Sequence, residues 1–142
     1  MTVQRIVVGA ESSPGGVTAM RWVAELAAPL GATVVAVHAF DPLSYLGKVK
    51  PPIDFAKLRA GCEVELREQW CAPLRDAGVA FEVRVEEDQP VEALVRVAEE
   101  VDADLIVVGA RALSTLKGLV LGSTSMKLPH HTSRPVCIVH PR

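Results

Sequence analysis

The residues best suited to chemistry lie in one stretch, Leu105-Ile-Val-Val-Gly-Ala-Arg-Ala-Leu-Ser-Thr-Leu-Lys-Gly-Leu-Val-Leu-Gly-Ser-Thr-Ser125. A β-branched apolar run ends at Gly109, a long loop follows, and Gly122-Ser123-Thr124-Ser125 opens a helix. Backbone N–H groups at a helix start have no partner within the helix, and the helix dipole favours negative charge there. The chemistry expected of this stretch is phosphate binding by amides and hydroxyls.

A second set of residues has the same form. Arg5 to Ala10 is a short apolar run that reaches Gly9, and Ala10-Glu11-Ser12-Ser13-Pro14 follows. Ser13 before Pro14 reads as a helix start, with a hydroxyl at the N-cap and proline at the first helical position. If the two strands are neighbours, Gly9-Ala10-Glu11-Ser12-Ser13 and Gly109 to Ser125 face one crevice. No catalytic constellation accompanies them. The chain lacks Gly-x-Ser-x-Gly, Cys-x-x-Cys and the Gly-Lys-Ser/Thr of a P-loop.

The elements that must position these residues follow a regular rhythm. Strands are expected at Arg5–Ala10, Thr33–Phe40, Val79–Glu86, Ala103–Val108 and Pro135–His140. The third alternates Val79, Phe81, Val83 and Val85 with polar or small residues, the pattern of a strand near a sheet edge. Helices are expected from Pro14 to about Leu30, from Asp54 to about Ala77, after Pro90, and from Gly122 to about Thr132. In the first, Val17, Met20, Ala24 and Ala27 form one face and Gly31 is a natural stop. In the second, Phe55, Leu58, Cys62, Leu66 and Trp70 face inward, and Pro73 predicts a bend near the end. Asp41 to Ile53, rich in proline, reads as a long loop of the kind that forms functional flaps. Strands alternating with helices imply an α/β fold: one doubly wound domain over 1–142, with a five-stranded parallel sheet and four helices on its two faces.

Composition narrows the function. With 142 residues, 49% of them hydrophobic and 23% charged, the chain can build a core. A net charge of −2 and 4% aromatics argue against a nucleic-acid surface. No apolar run approaches the roughly 18 residues that span a bilayer, and the N-terminus has no signal-peptide pattern. Cys62, Cys71 and Cys137 match no metal spacing and read as buried hydrophobes in a reducing cytoplasm.

The spacing Gly109-x2-Ala112-x9-Gly122-Ser123 resembles the ATP-binding signature of the universal stress protein family. The likeness extends to Ile6-Val-Val-Gly-Ala-Glu-Ser-Ser-Pro14, Val35-Ala-Val-His-Ala39, Leu121-Gly-Ser-Thr-Ser125 and Arg134-Pro-Val-Cys-Ile-Val139, and so to the whole chain. It implies the strand order 3-2-1-4-5. It also implies ATP as ligand, or AMP or cyclic AMP, with magnesium accompanying the nucleotide. Gly109, Ala110, Arg111, Ala112 and Leu113 would wrap the ribose and phosphates. Gly122, Ser123 and Thr124 would bind phosphate oxygens with Ser125 beside them at the ligand, Ala39 would touch adenine through its backbone, and Gly9, Ala10, Glu11, Ser12 and Ser13 would also border the ligand. The family also implies a homodimer through Val136, Cys137, Ile138 and Val139, an apolar edge strand that needs a cover.

Two positions depart from the pattern: Ala112 replaces the second glycine, and Glu11 stands where aspartate is usual. A plain structural reading also exists for each group. Gly109 and Gly122 could serve tight turns, Ser123 a helix cap, Arg111 and Lys117 solvation, and Glu11 a turn. His38 inside an apolar strand reads as a core histidine, and His130-His131 as surface. The expected function is a nucleotide-binding regulatory protein. The alternatives are an interaction module of the same fold without nucleotide, and a slow ATPase.

Overall fold

The structure, a computed structural model, describes residues 2–110 and 123–141. Strand β1 (Arg5–Gly9) leads to helix α1 (Pro14–Leu30) and strand β2 (Thr33–Ala39). A 3-10 turn at Pro42–Tyr45 precedes helix α2 (Phe55–Glu65), a π turn (Leu66–Trp70) and helix α3 (Ala72–Asp76). Strand β3 (Phe81–Glu86), helix α4 (Pro90–Glu100), strand β4 (Leu105–Gly109), helix α5 (Ser123–His131) and strand β5 (Val136–Val139) complete the order. The strands pair in parallel as β3-β2-β1-β4-β5, the order expected.

Local chemistry sets most boundaries. The Ser13 hydroxyl accepts the Gly16 N–H at 3.2 Å, so α1 begins with a capped turn and Pro14. Gly31 ends it in the left-handed region at φ 64°, its N–H reaching back to the Ala27 and Ala28 carbonyls. The second helix differs from expectation. The chain does not continue to Ala77 as one helix but breaks at the π turn, where the Cys71 N–H bonds the Leu66 carbonyl at 3.0 Å. Pro73 then lies in the first turn of α3, where a missing N–H removes no helical bond. The residue expected to bend one helix opens another, giving five α-helices among the described residues rather than four.

The sheet buries both faces. Ile6, Val8, Val34 and Phe40 pack with Met20, Val23, Leu66 and Leu74 beneath α1 and α3. Val7, Val35, Ile106 and Val108 pack with Leu94, Val97 and Leu128 beneath α4 and α5. Val17, grouped with Met20 in the sequence, instead borders a surface groove at 40% exposure. β3 is an edge as expected, and its outer end is polar: Arg84 pairs with Glu86 at 2.6 Å and Glu100 at 2.7 Å, tying the strand to α4. At the strand N-termini the Asp104 carboxylate accepts the N–H groups of Gln4 and Arg5 at 2.8 and 3.0 Å. Those two bonds hold its carboxyl below the usual range.

Candidate functional site

In this topology the chain turns one way from β1 to β2 and the other way from β4 to β5, so a crevice opens between β1 and β4 at their C-terminal ends. A cleft of about 180 Å³ lies there. β1 contributes Gly9 and the Ala10-Glu11 turn; β2 contributes Val37, His38 and Ala39; β4 contributes Val108 and Gly109. Helix α4 closes one side with Pro90 and Leu94, and the first turn of α5 brings Thr124 and Ser125.

Of the residues expected to bind, Gly9, Ala10, Glu11, Ala39, Gly109, Thr124 and Ser125 meet in this cleft. Ser12 and Ser123 are exposed beside it, and Ala110 is buried with its N–H on the Val139 carbonyl at 2.8 Å. Arg111, Ala112, Leu113 and Gly122, with Lys117, lie outside the described residues. Ser13 does not line the cleft. Its hydroxyl accepts from Gly16 and donates to Glu11 Oε1 at 2.6 Å, so it caps α1 and holds the glutamate. Ser125 is 2% exposed and donates to the Gly109 carbonyl at 3.0 Å. That bond joins α5 to the end of β4.

The site depends on close backbone contact. A Cβ built on Gly109 would fall on the Gly15 carbonyl, and one on Gly15 would fall on the Ala110 carbonyl. A Cβ on Gly16 would strike the Glu11 backbone and Cγ. The sequence reading missed Gly15 and Gly16. The available signal was a pair of glycines in a helix first turn, where each costs on the order of 1 kcal/mol against alanine. Such a pair is retained where another backbone approaches closely. Val37, Pro90, Leu94 and Val108, the apolar lining, were read as core or as a helix start.

His38 satisfies its ring within the wall: Nδ1 lies 2.9 Å from the Ala10 carbonyl, and Trp70 of the π turn packs edge-on at 5.0 Å between centroids. The loop after β2, expected as a flap, is fastened near its start. Asp41 caps the 3-10 turn, and the Tyr45 hydroxyl meets Cys62 Sγ of α2 at 3.3 Å. That contact, with burial, pushes the Tyr45 phenol up to about 12. His130 and His131 are exposed at the end of α5, as expected.

Chemically, the cleft combines an apolar wall, one carboxylate and a helix start. This defines a class: an open parallel α/β domain with a ligand cleft at the sheet's switch point, floored by glycines. The chain belongs to the universal stress protein family, whose profile matches residues 2–140. A universal stress protein of Mycolicibacterium smegmatis is 26% identical over an alignment of 141 positions that covers 95% of this chain and 47% of that protein. This chain therefore spans about half the length of that relative. A universal stress protein crystallised in complex with cAMP matches with a TM-score of 0.76 and 31% identity over 100% of both chains. The family protein of Arabidopsis thaliana with AMP bound matches with a TM-score of 0.71 over 98% of this chain and 92% of its own, and at 19% identity it shows the shared fold. Among the described residues, no helix is long and apolar enough to cross a membrane.

Proposed function

We propose that the chain is an adenine-nucleotide-binding regulatory protein of the universal stress type, cytoplasmic and without robust catalysis. The supporting observation is convergence. Glu11 from the turn after β1, Ala39 from β2, Gly109 from β4 and Thr124 from α5 border one cleft. An adenine ring suits the apolar wall of Val37, Ala39, Val108 and Leu94. Ribose hydroxyls are donors and suit the Glu11 carboxylate, whereas phosphate would be repelled by it and suits the start of α5, with Ser123 and Thr124. The cAMP complex of the relative at 31% identity supports the ligand class. ATP, AMP and cyclic AMP are the candidates. Among the described residues no cluster of His, Cys, Asp or Glu forms a metal cage, so magnesium would arrive on the phosphates of the nucleotide.

The proposed assembly is a homodimer through β5. Its side chains Val136, Cys137 and Ile138 are half-buried, and β4 occupies only one of its two edges within the described sheet. A second reading, an interaction module without nucleotide, is favoured by one contact: the Glu11 carboxylate already bonds Ser13 within its own turn.

Calorimetry with ATP, AMP and cyclic AMP separates the two, and mass spectrometry of the small molecule that copurifies names the ligand. Saturable binding of one adenine nucleotide is expected. No heat and no thermal shift with any of the three would leave the interaction module.

A further inference from the structure

His38 lies on the face of β2 shared by Val34, Ala36 and Phe40, and lines the cleft beside Ala39. A carbonyl oxygen can only accept, so at 2.9 Å from Ala10 it is the Nδ1 of His38 that carries the proton and donates. The Ala10 N–H meanwhile donates to the Val37 carbonyl at 2.8 Å. Both polar backbone groups of Ala10 are thus held from β2, one by the strand and one by a side chain. The peptide unit is planar, so the Ala10 carbonyl fixes the orientation of the whole Ala10–Glu11 plane. That plane sets the direction in which Glu11 leaves β1.

We propose that His38 is a positioning residue for the cleft: through the Ala10 carbonyl it aims the turn that carries Glu11. The inference rests on the nucleotide reading above. The ring also packs against Trp70, half-buried and edge-on at 73°. A histidine that only filled the core would need the ring contact and not the donor. A positioning histidine needs the donor first.

Two substitutions separate these roles. His38→Asn places an N–H₂ near the position of Nδ1 and gives up the ring. His38→Phe keeps a ring against Trp70 and gives up the donor. Calorimetry with AMP and cyclic AMP is expected to show binding weakened about tenfold in His38→Phe, the size of one lost hydrogen bond, and largely restored in His38→Asn. Thermal stability is expected to follow the opposite order, with His38→Asn the less stable. Wild-type affinity in His38→Phe, or affinities that simply follow thermal stability, would overturn the proposal.

Long-range ¹H–¹⁵N spectra of the ligand-free wild type give a reading that needs no variant. His38 is expected as the Nδ1–H tautomer, and the Nε2–H tautomer overturns the assignment even where a variant fails to fold. If the wild type binds neither nucleotide, the nucleotide reading falls and this proposal with it. If the wild type binds and both variants bind equally, the role of His38 alone falls.

Discussion

The carbonyl of Gly15 occupies the place where a side chain on Gly109 would begin. The N-terminal turn of α1 and the end of β4 therefore touch backbone to backbone: Gly109 is held in the sheet beside Val139, and Gly15 lies in the first turn of α1, which Ser13 caps. Gly109→Ala is expected to cost about 1–3 kcal/mol, as overpacking does, and Gly15→Ala a similar amount. Because the two substitutions disturb a shared contact region, the double variant should cost less than their sum. Gly61, in α2 with open space around its Cα, provides the contrast: Gly61→Ala should stabilise by about 0.5–1 kcal/mol. Urea midpoints of the four variants test the set, and a silent Gly109→Ala would refute the contact.

Ser125→Ala removes the donor on the Gly109 carbonyl from a buried position. The expected loss is about 1 kcal/mol, seen as a lower midpoint with an unchanged denaturant slope. Nucleotide affinity should fall as well, since the bond joins α5 to β4 at the cleft. Unchanged stability would mean that the hydroxyl has another role.

Asp104 gives a pH signature. Its carboxyl is held below its ordinary value because the Gln4 and Arg5 N–H groups favour the charged form. The stabilisation is therefore present above the unfolded pKa and is lost as pH falls through the folded one. Asp104→Asn should be less stable than wild type near neutral pH, and the gap should narrow progressively as pH falls below the ordinary aspartate range and through the depressed folded-state value. A gap that persists in acid would refute the assignment.

Much of this was legible in the sequence because the determinants are local. Ser13-Pro14 starts α1, and Gly31 and Gly78 stop helices at positive φ. The glycine-ended apolar runs gave β1 and β4, and the alternation from Val79 to Glu86 gave an edge strand. What escaped was set by contacts between distant segments. Gly15 matters because the Ala110 carbonyl, just past β4, comes within reach of it, and Gly16 is a local exception, packed against the Glu11 backbone within one turn. Ser125, expected at the ligand, lines the cleft, and what escaped is the bond its hydroxyl donates to the Gly109 carbonyl. The π turn itself, Leu66 to Trp70, contains neither glycine nor proline; its local signal is Pro73, which has no N–H for the Gln69 carbonyl four residues back, and what escaped is that the bend takes the form of a π turn.

Cysteine chemistry gives a further check. Burial pushes the Cys71 thiol up to about 11, against the pull of Arg75 and Arg67, so little thiolate forms near neutral pH. A short iodoacetamide pulse read by mass spectrometry should leave Cys71 unmodified in the native protein and modify it in urea. Native labelling at a comparable rate would contradict its burial.

The π turn has a consequence for how this chain tolerates change. At about 100° per residue, the eight steps from Leu66 to Leu74 would leave the two side chains about 80° apart on a continuous α-helix. Because the turn absorbs one residue, they behave as if seven steps apart, about 20° out of phase, and both reach the same core. The segment thus carries one residue more than its packing requires. Deleting an exposed residue such as Glu68 would remove the surplus and keep Leu66 and Leu74 in phase, with Pro73 still opening α3. The cost would fall on Trp70, whose place beside His38 depends on the surplus residue.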